Sequence, residues 1–311
     1  MNFRVSATAL ARAALASLTR AQNEIGLARE QVATGRRLNR PSDAPLDAAH
    51  ASRLRTYKAQ LGQYLRNLDE AEGRLRFASS AVQELSDIFI EARQIALRGA
   101  DSATDQSERL TLATAVNQLL EGLIQRANTS WAGRYIFAGT ADDAAPFEGR
   151  IGESGHIDSV LYHGNEGRVE LEVGPQMRVQ VNEPGTAVFT ATATQPSLFD
   201  VLIELRDLLS NTEGLSESDQ CRALSNHVGA LKEAHERVVD AASRLGWRAR
   251  QVEYTRTTVE NLELTTTERL SALEDADYAS AALKINAQQV ALEAALTVSA
   301  RLMKNNLLEY L

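Results

Sequence analysis

Residues 54–96 read LRTYKAQLGQYLRNLDEAEGRLRFASSAVQELSDIFIEARQIA. Leu54, Leu61, Leu68, Leu75, Val82, Phe89 and Ala96 recur every seven residues, and Tyr57, Tyr64, Ala71, Ala78, Leu85 and Ala92 follow three positions behind. This is the a/d seam of a coiled coil, sustained for about six heptads. At 1.5 Å per residue it predicts a helix roughly 60 Å long. A seam of this length needs a mate. The chain supplies one in Leu224, Leu231, Val238, Leu245, Val252 and Val259, continuing to Thr266 and Leu273. Two matched seams joined through an insert should lie antiparallel, each burying the other's apolar stripe. Two shorter stripes fit alongside. One carries Leu112, Val116, Leu119 and Leu123. The other carries Leu198, Leu202, Leu205 and Leu209 behind Ser197, an N-cap with Asp200 three residues on.

Between the seams the punctuation changes. Nine of the 18 glycines and three of the six prolines fall between Gly133 and Gly185. Val160-Leu161-Tyr162, Val169 to Val173 and Met177 to Val181 favour β structure, and the last two alternate apolar with polar residues around Gly174-Pro175. The expected fold is therefore mainly α: a long antiparallel coiled-coil rod with a small inserted β-rich module and amphipathic terminal helices. The expected boundaries are an N-terminal assembly helix over 1–40, rod helices over 41–132, the β module over 133–196, further rod helices over 197–274, and a C-terminal assembly helix over 275–311.

The two ends stand apart from the seams. Leu18, Ile25 and Val32 continue a heptad from Ala11, and Pro41 and Pro45 then interrupt it. Ser42 or Asp43 is placed to cap the next helix. At the other end the register slips at Glu274-Asp275-Ala276-Asp277. Ile285, Leu292 and Leu296 then form a new face, widened by Leu283, Val290 and Ala294. Seven arginines and two glutamates give residues 1–40 a charge of +5, whereas five acids and three bases give residues 272–311 a charge of −2. Two apolar helices of opposite charge, separate from the rod, read as assembly surfaces made of Leu18, Ile25, Val32, Ile285, Leu292 and Leu296. The rod core is read as Leu54, Leu61, Leu68, Leu75, Leu231, Val238, Leu245 and Val252.

Composition excludes several functions. With 33 basic and 41 acidic side chains, the net charge of −8 opposes a nucleic-acid binder, which must displace counterions from phosphates. A run of eighteen apolar residues is absent, so no membrane segment is expected. Cys221 is the one cysteine, which leaves no disulfide framework or thiolate cluster, and it reads as a small apolar residue. Phosphate cradles, nucleophile elbows and paired metal-binding histidines are missing as motifs. Gly152-Glu153-Ser154-Gly155-His156 reads as a polar loop, His227 and His235 as packed helix residues, and Asn128-Thr129-Ser130 as a chance sequon. The acid-free start resembles a transit peptide in composition. Its heptad, however, runs unbroken to Val32, and an apolar stretch suited to a Sec signal is lacking. No enzyme, cofactor or metal is expected.

Three segments resemble a known family. Thr34-Gly35-Arg36-Arg37-Leu38-Asn39-Arg40-Pro41-Ser42-Asp43-Ala44-Pro45 is similar to the segment of flagellins where the terminal helix meets the rod. Its proline after Asn39-Arg40 is closer to the hook-associated branch. Ala132 to Thr140, followed by Pro146-Phe147, resembles the point where hook-associated members leave their helical rod. Leu273 to Tyr278 and Leu307 to Leu311 resemble the family's ending. The resemblance implies a structural protein between hook and filament of the bacterial flagellum, exported by the flagellar type III route and lying outside the cell. It implies terminal helices that form an inner tube and are disordered in a free subunit. The implied partners are neighbouring copies, the other hook-associated junction protein, flagellin and an export chaperone, with neither nucleic acid nor membrane. Two rival readings are a filament flagellin and a coiled-coil signalling or scaffold protein. The second leaves the β insert and the amphipathic ends unexplained.

Overall fold

The computed structural model of the chain describes residues 7–152, 155–191 and 195–308. Six α-helices and six short strands follow one another: α1 (Ala7–Thr34), α2 (Pro45–Gly99), α3 (Gln106–Ala127), β1 (Ser130–Trp131), β2 (Arg134–Tyr135), β3 (Phe147–Ile151), β4 (Ile157–Tyr162), β5 (Glu170–Gly174), β6 (Met177–Gln180), α4 (Leu198–Ser210), α5 (Glu217–Glu274) and α6 (Tyr278–Leu308). They divide into two compact units. A central unit spans Gly62–Glu260, and a terminal unit combines the described parts of Met1–Leu61 and Asn261–Leu311.

In the central unit α2 and α5 run antiparallel. Arg256 of α5 pairs with Asp69 at 2.6 Å and Glu72 at 2.9 Å, and Ser86 Oγ meets His235 Nε2 at 2.7 Å. Along the α2–α5 seam the heptad side chains are sealed from water. Leu68, Leu75, Val82, Phe89 and Ala96 on α2, and Leu224, Leu231, Val238, Leu245 and Val252 on α5, are buried. Each such leucine contributes about 1.5–3 kcal/mol, so the seam is the main stabilising element of this unit. The alanines Ala71, Ala78 and Ala92 lie at the companion positions and are also buried. Leu61 is buried and Leu54 half-buried, on the part of α2 that belongs to the terminal unit.

The shorter helices α3 and α4 pack side by side. Asp105 caps α3 by accepting from the Glu108 amide at 2.7 Å, and Ser197 with Asp200 forms a reciprocal capping box on α4. Leu198, Leu202, Leu205 and Leu209 are buried. On α3 the buried face is Leu112, Val116, Leu120 and Leu123, and Leu119 is half-buried. The observed stripe thus runs through Leu120 where the heptad spacing has Leu119.

The β structure consists of three antiparallel pairs: β1 with β2, β3 with β4, and β5 with β6. The β5–β6 hairpin turns at Pro175-Gln176, with Gln176 at φ +60°, and carries a bulge between Glu172 and Gly174. Phe147, Tyr162, Phe189 and Phe199 form a ring cluster with centroids about 5 Å apart, and Phe137 joins it through Phe189 at 5.1 Å. Phe199 belongs to α4, so the β segment shares its core with a helix. Three arginines spaced along one face of α5 hold its exit. Arg237 donates to the carbonyls of Val188, Thr190 and Pro196, while Arg244 and Arg248 clamp the buried carboxylate of Glu183.

The residues screened for chemistry are occupied structurally. His227 Nε2 lies 2.8 Å from the Val201 carbonyl. The amide of Asn128 grips β3 like a neighbouring strand, accepting from Phe147 N at 2.9 Å and donating to Phe147 O at 2.7 Å. Cys221 is half-buried and its sulfur lies 3.2 Å from Nη2 of the buried Arg109, so it is more than an apolar filler. Arg109 also donates to the carbonyls of Gly99 and Asp101 and to the Gln220 side chain. Residues 153–154 of the polar loop lie outside the described residues.

Candidate assembly interface

The terminal unit places the two end helices together. α1 and α6 pack along each other in opposite directions, with Gln288 donating to Glu24 at 2.5 Å midway along the pair. Ile25 and Ala28 of α1 and Ala281 of α6 are buried. Alanines at this contact let the backbones approach closely. Leu18, Ile285 and Leu292 are half-buried, and Val32 and Leu296 are exposed. Of the six residues read as an assembly surface, Ile25 is thus enclosed within the subunit, while the others retain accessible apolar area. Leu15 and Leu27 of α1 and Leu283, Val290 and Val298 of α6 add to that area, with Leu283 69% exposed and Val290 68%. These exposed apolar side chains lie on the two helices of one hairpin. Within the subunit each end helix is the other's partner. Sequence periodicity shows that a helix has an apolar face but not which helix covers it.

At the foot of this hairpin the two joints interlock. Gly35 ends α1 in the left-handed region, φ +71°, where a non-glycine residue is strained. A Cβ at this position would fall 2.7 Å from the Tyr278 hydroxyl. The Arg37 amide donates to Glu274 O at 2.6 Å, the Ala276 amide donates to Gly35 O at 3.0 Å, and Arg36 and Asp275 form an antiparallel bridge. The Arg37 guanidinium donates to Leu273 O from Nε at 3.1 Å and Nη2 at 2.8 Å, and to Asp47 Oδ2 at 2.8 Å. It therefore satisfies a free carbonyl at the end of α5 and complements an acid in the first turn of α2. Nearby, Arg55 Nε lies 2.7 Å from the buried carboxylate of Glu274. Asp277 caps α6 through the Ser280 amide. Asp43 differs from its expected role as a cap of α2: its carboxylate accepts from the Arg40 amide at 2.8 Å and closes the preceding turn. Pro45, with no N–H to satisfy, starts α2.

The segments 34–45 and 273–278 are thus neighbours in space. Two family models cover these parts and most of the chain: the bacterial flagellin N-terminal helical region matches residues 5–142, and the bacterial flagellin C-terminal helical region matches residues 228–311. The chain belongs to the bacterial flagellin family. It is a structural protein of the bacterial flagellum. Among curated relatives, flagellar hook-associated protein 3 of Escherichia coli is 25% identical over 280 residues, covering 85% of this chain and 86% of that one. The Salmonella typhimurium protein of the same name is 24% identical over 306 residues, covering 94% of both. Flagellin B of Helicobacter pylori is 24% identical over 251 residues, covering 80% of this chain and 47% of its own. The solved structure of flagellar hook-associated protein 3 from Legionella pneumophila shares the fold with a TM-score of 0.62 at 14% identity, covering 71% of this chain and 98% of that one.

Among the described residues, no cluster of three or more His, Cys, Asp or Glu side chains could hold a metal ion, and no helix is long and apolar enough to cross a membrane. The joint contacts of Arg37, Asp47 and Arg55 are not foreseen from the sequence. Their signal lay within the two quoted family segments and beside them, but a charge on a joint has no period to betray its partner.

Proposed function

We propose that this chain joins hook to filament in the bacterial flagellum. The observation that carries this reading is the span of the likeness. The hook-associated relatives align along nearly their whole length, whereas flagellin B extends far beyond the matched part. A filament flagellin is the second reading and is less well supported for that reason. A signalling coiled coil has no place for the flagellin-type ends.

The apolar hairpin of α1 and α6 is the surface by which copies assemble with each other. Its exposed face, led by Leu18, Val32, Ile285, Leu292 and Leu296, fits a tube wall built from repeated subunits. The partners on either side are the other hook-associated protein toward the hook and flagellin toward the filament. An export chaperone covers the apolar ends before assembly. The subunit leaves the cell by the flagellar type III route, and it performs no catalysis. The domain division is an N-terminal assembly helix over 1–40, rod helices over 41–132 and 197–274, the β segment over 133–196, and a C-terminal assembly helix over 275–311.

Electron microscopy of a strain lacking the gene tests this. Hooks without filaments, with flagellin recovered from the medium, are the expected result. Normal filaments on such cells would overturn the reading, and so would immunogold label spread along the filament instead of at its base.

A further inference from the structure

We infer that Trp247 and Arg250 of α5 form a knob that enters an acid-lined hollow on α4 of a second copy of the chain. This rests on the assembly of copies proposed above and names two surfaces for it. Both lie in the central unit, away from the terminal helices.

Trp247 is 69% exposed, and Tyr254, two turns on along α5, is 77% exposed. The Arg250 guanidinium lies over the indole ring, 5.0 Å from its centroid, which holds the two side chains together. Tryptophan and arginine are the residue types that carry most of the energy at the centre of a protein contact. The knob borders a trough of about 470 Å³ between α2 and α5, lined by the small side chains of Ser79, Ala242 and Ser243. Gly246 borders it too, and a Cβ there would meet nothing within 4 Å. Glycine weakens a helix interior, and no crowding among the described residues calls for one here. It leaves room beside the indole for an incoming chain.

The hollow lies on α4 and the turn after it and has a volume of about 390 Å³. Ile203, Leu208 and Leu215, all half-buried, supply its apolar surface. Its acids are Asp200, Glu204, Asp207 and Glu213, and no base lines it. Arg206 offsets Asp207 at 2.8 Å, and His227 Nδ1 lies 3.7 Å from Glu204, so an excess of carboxylates remains. The trough beside the knob is the reverse, with Arg250 and no acid in its lining. An indole with a stacked guanidinium therefore matches the hollow in apolar character and in charge. The two surfaces cannot meet within one chain. Gln220, near the start of α5, donates to Leu208 O at 2.8 Å and fixes the hollow there. Trp247 lies about 40 Å further along the same helix at 1.5 Å per residue. Because knob and hollow differ, the contact is heterologous, and repeated from copy to copy it builds a ring or a helix.

Photo-cross-linking of the full chain in flagellated cells tests the contact. A benzophenone-bearing amino acid in place of Trp247 should give, on irradiation, a species of twice the chain's mass. Its link should join position 247 of one copy to residues 200–215 of another. Arg250→Glu is expected to lower the yield about tenfold or more. Adding Glu204→Arg and Glu213→Arg to the same chain should restore it, because the charges are then exchanged. The absence of a cross-link overturns the proposal, as does a link to another protein or to any other segment of a second copy. Failure of the exchanged charges to restore the yield overturns it too. So does a melting temperature of the free Arg250→Glu subunit well below that of the unsubstituted protein, since the knob would then belong to the subunit's own packing. Copies linked through other segments leave the junction reading standing. Immunogold label along the filament, with the link from position 247 to α4 intact, removes that reading and leaves this contact.

Discussion

The side chain of Arg37 donates from both Nε and Nη2 to the carbonyl of Leu273, 236 residues further along the chain. A contact of this range closes the chain end to end. It lets the first and last helices act as one apolar hairpin. Because an arginine fork recognises a carbonyl through its planar geometry, lysine is a poor substitute here.

Gly35 is the backbone counterpart of Arg37. Its φ of +71° and the nearby Tyr278 hydroxyl both oppose a side chain. Gly35→Ala is expected to destabilise the terminal hairpin by about 1–3 kcal/mol. Gly35→Asn should cost less, because asparagine tolerates the left-handed region. The measurement is the rate of proteolytic cleavage within residues 15–34, which follows the open population. Gly133→Ala serves as comparison, since that glycine also has positive φ but has nothing within 4 Å of a Cβ. Equal cleavage of the Gly35→Ala and unsubstituted proteins would refute this account.

A second prediction concerns Glu183. Its side chain is 3% exposed and lies between Arg244 and Arg248 of α5. Removing one member of a buried ion pair costs about 3–5 kcal/mol. Arg244 is partly in water, so Glu183→Gln should fall at the lower end of that range. Chemical denaturation of the purified protein should give a lower midpoint at unchanged slope. An unchanged midpoint would mean that the arginine clamp contributes nothing net.

The seams and this clamp differ in how far sequence alone exposes them. Leu68 and Leu245 are seen in advance because coiled-coil packing has a period, and a period survives in a linear string. The capping box at Ser197 is likewise local, three residues from donor to acceptor. The pairing of Phe147 with Tyr162 has no such trace. β3 is only five residues long with Gly149 at its centre, and besides β4 it is held by the side chain of Asn128 on the preceding helix terminus. Apolar faces on both end helices are legible in the sequence, and the enclosure of Ile25 is not. The helix that covers a stripe is set by tertiary closure through Arg37, Glu274 and Gly35.

Alkaline pH probes the aromatic cluster. Burial raises the Tyr162 pKa from 10.0, the nearby Glu166 adds to this, and a backbone hydrogen bond opposes it. The hydroxyl donates to the carbonyls of Phe137 and Asn165, each at 3.0 Å. A raised pKa means that the folded state holds its proton more tightly than the unfolded chain. The contribution is therefore fully present below about pH 10 and is lost as pH rises through the folded value. Tyr162→Phe should lower stability at neutral pH by about 0.5–1.5 kcal/mol. It should also flatten the decline of melting temperature above pH 10. Parallel declines for both proteins would place the alkaline sensitivity elsewhere.

The last prediction separates folding from assembly with leucines of opposite exposure. Leu68 and Leu245 are fully buried in the α2–α5 seam, whereas Leu283 and Leu296 on α6 are 69% and 52% exposed. Leu68→Ala or Leu245→Ala should destabilise the isolated subunit by about 2–5 kcal/mol, combining lost burial with a cavity. A domain has only about 5–15 kcal/mol in hand, so its melting temperature should fall sharply. Leu283→Asp and Leu296→Asp remove little packing within the subunit, and its calorimetric melting should barely change. In cells the same two aspartates would be buried without partners at a contact repeated in every subunit, which is costly each time. Filament attachment and motility should therefore be lost while the protein is still made and exported. Normal filaments on cells carrying both aspartates would show that this face of α6 is not an assembly surface. Strong thermal destabilisation of the free subunit by either aspartate would place that face inside the subunit's own core.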